Sequence, residues 1–121
     1  MKYIMLIYQN EPEWNAISET ERQQIYHEYR SLRDDLQSKG KFVAGSQLQP
    51  IGTATSIRVR DGKELVTDGP FAETHEHLGG FFLVEARDLD EAMKIAARIP
   101  SARMGTIEVR PLAEGAPAVA R

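Results

Sequence analysis

Residues 2–8 (Lys-Tyr-Ile-Met-Leu-Ile-Tyr) are β-branched, aromatic or long and apolar at both parities, the pattern of a strand covered on both faces. Residues 11–17, which hold Pro12 and the only tryptophan, Trp14, read as a loop. Ser18-Glu-Thr-Glu21 then fits a capping box, with Ser18 capping a helix and Glu21 reaching back. Ile25, Tyr29, Leu32 and Leu36 follow at spacings of four, three and four, one apolar stripe on an amphipathic helix that ends at Lys39-Gly40. Residues 42–49 and 53–60 are the next strands, and in the second Ile57 and Val59 alternate with Ser56, Arg58 and Arg60, so one face meets water. Asp61-Gly62 is a two-residue hairpin signal leading into a short strand over 64–67.

Residues 68–80 read as a loop, and 81–86 as a central strand apolar at both parities. Asp88-Leu-Asp-Glu91 opens a second helix in the same manner as Ser18, with Ala92, Ile95, Ala96 and Ile99 on its inner face and Pro100 ending it. In the last strand, 106–110, Ile107 and Val109 face inward. Residues 112–121 are rich in Ala, Gly and Pro and predict a mobile tail, which leaves 1–111 as one domain.

The predicted order is strand, helix, strand, strand, helix, strand, with an extra hairpin arm. That is the α+β pattern of a ferredoxin-like βαββαβ protomer. Such a sheet carries helices on one face only. Because the strands at 3–8 and 81–86 are apolar on both faces, the simplest cover for the bare face is the same face of a second copy. The expected assembly is a homodimer with its sheets face to face.

Length and composition narrow the chemistry. At 121 residues the chain is long enough for one core. With 41% apolar and 27% charged residues it has an ordinary globular composition, and no apolar run approaches a membrane span. No signal-peptide pattern precedes Glu11 and Glu13, so a cytoplasmic location is expected. The absence of cysteine excludes disulfides, a thiolate nucleophile and cysteine-held zinc or iron–sulfur sites. A net charge of −3 with no Lys/Arg cluster argues against direct binding of nucleic acid.

The stretch from Asp68 to Gly80 concentrates three carboxylates, two histidines and three glycines in thirteen residues. An Asx-turn at Asp68 would need the N–H two residues on, but Pro70 has none, so the carboxylate caps Phe71 or another donor, or stays free for a ligand. Asp68, Glu73 and His75 are therefore the candidate acid–base groups, beside Glu76 and His77. His75 and His77 share a face if the stretch is extended, but two ligands fall short of a metal site, so neither metal nor other cofactor is expected. Phe71, Glu76, Tyr29 and Gly80 are candidate ligand contacts, with the pocket between sheet and helices near Asp68, Phe71 and Glu73. His27 lies off the apolar stripe and reads as an exposed helix histidine, and Gly79-Gly80 as a bulge or a close backbone approach.

Asp68-Gly-Pro-Phe-Ala-Glu-Thr74, Leu78-Gly-Gly80, Leu89-Asp-Glu-Ala92 and Ile107-Glu-Val-Arg-Pro111 resemble the DGPF branch of the YCII-related proteins, over nearly the whole chain. The resemblance implies a ferredoxin-like protomer in a dimeric α+β barrel. It implies no specific function, since most members of the branch have none assigned. YCII-like relatives include a dehydrochlorinase acting on a chlorinated aromatic, and the wider family is described with a His/Asp catalytic pair. The helix position nearest to that histidine is Tyr29, with His27 nearby, and His75 stands where the branch usually has lysine. Three readings follow: a small-molecule-binding protein, a lyase- or hydrolase-type enzyme acting on a small substrate, an aromatic one among the candidates, and an accessory protein associated with a sigma factor.

Overall fold

The computed structural model describes residues 1–72 and 74–113. Its elements are β1 (Lys2–Gln9), α1 (Glu11–Ala16), α2 (Glu19–Ser38), β2 (Phe42–Gln47), β3 (Thr55–Arg60), β4 (Lys63–Asp68), β5 (His77–Glu85), α3 (Leu89–Ala97) and β6 (Thr106–Pro111). Four of the strands form one antiparallel sheet in the order β2-β5-β1-β6, and β3 pairs only with β4. With that hairpin and α1 set aside, the chain runs strand, helix, strand, strand, helix, strand, a mixed α+β fold.

Both predicted caps form. Ser18 Oγ accepts from the Glu21 N–H at 3.1 Å, and Asp88 Oδ1 accepts from the Glu91 N–H at 2.9 Å. The return halves land elsewhere than in a standard capping box: Glu21 meets the Ser18 hydroxyl, and Glu91 accepts from the Arg87 N–H at 2.8 Å. The helices lie on one sheet face. Tyr3, Met5 and Ile7 of β1 and Phe82 and Val84 of β5 meet Leu32 and Leu36 of α2 and Ala92, Ile95 and Ile99 at α3 in a single core.

Among the described residues no helix covers the opposite face. Ile4, Leu6 and Tyr8 of β1 and Phe81 and Leu83 of β5 point there and stay half-buried. The β3–β4 hairpin turns at Asp61 and Gly62, both with positive φ (53° and 75°), as a two-residue turn of this kind requires. It has no core of its own in the protomer: its paired Ile57 and Val66 are 62% and 59% exposed.

Several boundaries differ from those the sequence predicts, three of them with a clear physical reason. Residues 11–16 are helical: Asn10 Oδ1 accepts from the Glu13 N–H at 2.9 Å, and Pro12 occupies the first turn, where its missing N–H costs nothing. Six residues that bury no side chain leave no periodicity to read. β5 starts at His77, so Gly79-Gly80 lies inside a strand and not before it. The stretch before β3 is a 3-10 turn over Ile51–Thr53, which shortens that strand to Thr55–Arg60. Of the expected tail, Leu112 still donates its N–H to the Lys2 carbonyl at 2.9 Å, and residues 114–121 lie outside the described residues.

Candidate functional site

α2 carries two stripes. The core stripe is Ile25, Leu32 and Leu36. One residue further round, Tyr26, Tyr29, Arg30 and Arg33, at i, i+3, i+4 and i+7, overhang the sheet, with Tyr29 edge-on to Phe82 and Arg33 over Phe42, and leave a cleft of about 240 Å³ beneath them. Ile7 and Phe82 supply its apolar floor, and Gly79 and Gly80 keep that floor low by adding no side chains. A Cβ on Gly80 would lie 2.8 Å from the Ser46 carbonyl oxygen, so glycine there answers to the close approach of β2. At Gly79 the register between β1 and β5 shifts, with Ile7 opposite Gly80 and Tyr8 opposite Leu78.

α1 closes the mouth with Trp14. The indole is held from two sides: Tyr26 meets it edge-on at 5.7 Å, and the Arg22 guanidinium lies 5.4 Å from its ring centroid. Arg22 also donates to the Trp14 carbonyl at 3.1 Å and to the Ile17 carbonyl at 3.3 Å, which fixes the approach from α1 to α2.

A chain of polar groups ends the cleft. The Tyr29 hydroxyl is 2.6 Å from Ser101 Oγ, and Ser101 donates to Gln9 Oε1 at 3.0 Å. With its one proton given to Gln9, the serine accepts from Tyr29. Two tyrosine lone pairs and the Gln9 amide hydrogens are then free for another group. Burial pushes the Tyr29 phenol above its ordinary value of 10, against the pull of the Ser101 hydrogen bond. At neutral pH it is a protonated hydroxyl, and with that proton on Ser101 it meets a ligand as an acceptor. Ser101 is 2% exposed, held in the 3-10 turn that Pro100 starts after α3.

The residues singled out in the sequence are divided by the fold. Tyr29 and Gly80 line this cleft. Phe71, 79% exposed, lines a second and wider hollow on the other side of the sheet, with Tyr8, Leu78 and His77. His77 Nδ1 is buried there with no hydrogen-bond partner among the described residues. Asp68 ends β4 with its carboxylate exposed and unbonded among the described residues, and the following Gly69 makes the turn at φ 96°, donating its N–H to the Ala54 carbonyl. His75 is exposed, offering only its carbonyl, to Asn10 Nδ2 at 3.2 Å. The Glu76 carbonyl accepts from the Thr74 hydroxyl, and neither His75 nor Glu76 lines either hollow. Glu73 lies outside the described residues, and His27 is exposed on α2. Among the described residues no group of three His, Asp or Glu could hold a metal, and no helix is long and apolar enough to cross a membrane.

Gln9, Trp14, Arg30, Arg33 and Ser101 were not among the residues the sequence singled out. Tyr26, Arg30 and Arg33 at i, i+4 and i+7 were a readable second stripe. Gln9 and Ser101 are 92 positions apart, and nothing local joins them.

Fold and cleft together define a small α+β protein whose sheet is backed by helices on one face and hollowed beneath the longer one. The chain belongs to the YCII-related domain family, whose model matches residues 1–115. An uncharacterized protein of Rhizobium meliloti (strain 1021) is 36% identical over 115 residues, covering 93% of both chains. Among solved structures, the 5-chloro-2-hydroxyhydroquinone dehydrochlorinase of Burkholderia phenoliruptrix AC1100, in complex with 2,5-dihydroxybenzoquinone, shares the fold. Its TM-score is 0.56 at 19% identity, over 95% of this chain and 96% of the other.

Proposed function

We propose that this protein binds a small ring compound in the cleft beneath α2, as a homodimer. The observation that carries the reading is the Tyr29–Ser101–Gln9 chain, a row of part-buried polar groups set at the end of a hollow walled by Trp14, Tyr26 and Phe82. Hollows that bind ligands combine apolar walls with a few convergent polar atoms in this way. A volume of about 240 Å³ suits one ring and its substituents, since drug-sized ligands use roughly 300–1,000 Å³. The structural relative binds a hydroxylated ring of that size, which supports the choice of probe. The cleft replaces the Asp-Gly-Pro-Phe loop as the proposed ligand site, because Asp68 and Phe71 do not reach it.

Trp14, the only tryptophan, lines the cleft and gives a direct readout. Titration with 2,5-dihydroxybenzoquinone should quench its fluorescence saturably. Tyr29→Phe, which removes the hydroxyl and keeps the ring, should weaken binding about tenfold, the worth of one hydrogen bond of about 1.4 kcal/mol. Absence of a saturable change, or equal affinity in Tyr29→Phe and Ser101→Ala, would refute the assignment.

A further inference from the structure

Resting on that assignment of the cleft, we infer that its ligand is an anion: a one-ring aromatic acid whose carboxylate is held by Arg30 and Arg33.

The charge distribution is the first support. The chain carries a net charge of −3, yet the cleft is lined by two arginines and by no acidic residue. A hollow lined by one sign of charge between low-dielectric walls concentrates the potential that a counter-charged ligand feels.

The second support is what the other arginines near these helices do. Arg22 pairs with Glu19 at 2.8 Å, Arg98 with Asp35 at 2.8 Å, Arg103 with Glu28 at 2.6 Å and Arg87 with Glu91 at 3.1 Å. Arg30 and Arg33 have no carboxylate within reach among the described residues. Of the acids near them on α2, Glu28 is engaged by Arg103 and Asp35 by both Arg98 and Lys39, while Asp34, next to Arg33 and four residues from Arg30, forms no ion pair with either among the described residues. Two like charges three residues apart on one helix repel, and an anion seated between them relieves that.

The third support is that one of the pair is held in place. The Arg33 guanidinium lies over the Phe42 ring, 4.8 Å from its centroid, so its planar fork is positioned at the cleft before any ligand arrives. A guanidinium fork matches a carboxylate with two parallel hydrogen bonds, which a point charge could not. The rest of the cleft selects the body of the acid. Trp14, Tyr26 and Phe82 offer ring faces and edges, which a bare inorganic anion would not use. The free lone pairs of Tyr29 can accept from a hydroxyl on the ring, and the Gln9 amide can donate.

The test compares salicylate with salicylamide, its uncharged isostere, by Trp14 fluorescence on the full-length protein. Salicylate should bind about tenfold or more tightly than salicylamide, the low end of the range for hydrogen bonds to a charged group because both arginines remain exposed. In the Arg30→Gln/Arg33→Gln variant the preference should vanish by loss of salicylate affinity alone, with salicylamide unchanged. Raising sodium chloride from about 0.05 M to about 0.5 M should weaken salicylate only. Inorganic phosphate at the same concentration should not compete. If the two compounds bind equally, or the arginine variant keeps its preference, the anion assignment is overturned while a Tyr29→Phe effect on both compounds would leave the cleft standing. If neither compound perturbs Trp14, both assignments fall.

Discussion

Gly79 and Gly80 lie side by side on the cleft floor and respond differently to an added methyl group. At Gly80 the new carbon would sit 2.8 Å from a main-chain oxygen of Ser46, so β2 and β5 must part, at a cost of about 1–3 kcal/mol. At Gly79 nothing lies closer than the Gln9 side chain at 3.8 Å, an ordinary contact. Calorimetry should show Gly80→Ala melting several degrees below the parent and Gly79→Ala within about a degree. Gly79→Ala should nonetheless weaken ligand binding, because its methyl group enters the cleft. Equal melting losses in both would contradict the register described. The sequence allowed a bulge or a close approach at this pair, and the two residues do one each. Pattern alone could not assign which glycine did which, because the assignment depends on where β1 and β2 lie.

Capping and apolar spacing carry most of what was legible at the scale of elements. α2 and α3 start where Ser18 and Asp88 predict, since an N-cap is a local hydrogen bond between neighbours in sequence. α1 was not legible, because its stability rests on Asn10, Pro12 and the Arg22 contacts and not on an apolar face. The site suffered from the same bias: motif density drew attention to residues 68–80, while the cleft was built from a helix stripe and two polar residues remote in sequence. Glu91 shows how an element is tied down after it forms. Its carboxylate meets Lys41 at 2.5 Å and Arg87 at 3.1 Å and is 12% exposed, joining the start of α3 to the start of β2. The Lys41 hydrogen bond, with that from the Arg87 N–H, holds the carboxyl below the ordinary glutamate value of 4.5. Stability from a lowered pKa is complete above the unfolded value and fades as pH falls through the folded one. Glu91→Gln should therefore be less stable than the parent at pH 7, with the gap closing below about pH 4.5 as the parent carboxylate takes up its proton. Thermal melts at pH 7, 5 and 3 measure it, and a gap that stays constant across them would discount the ion pairs.

The described fold leaves one sheet face and one hairpin uncovered, and in the homodimer proposed above a second copy covers both. Light scattering at micromolar concentration should give twice the protomer mass, with on the order of 1,600 Å² or more buried in total. A monomer mass would refute the dimer. Apolar residues at both parities in β1 and β5 were the legible sign of this face; the partner surface itself cannot be read from one chain's spacing. The β3–β4 hairpin carries the sharpest consequence. A lone two-stranded ribbon is marginally stable in water, and among the described residues this one is held by cross-strand pairs such as Ile57 with Val66 and, at its base, by the Ser56 hydroxyl donating to the Gly69 carbonyl. Its amide protons should exchange with solvent within seconds once the protein is diluted below its dissociation constant, while those of β1 and β5 stay protected in the folded protomer. Deuterium uptake over residues 55–68 would then serve as a local gauge of assembly, rising on dilution when the sheet shows no change.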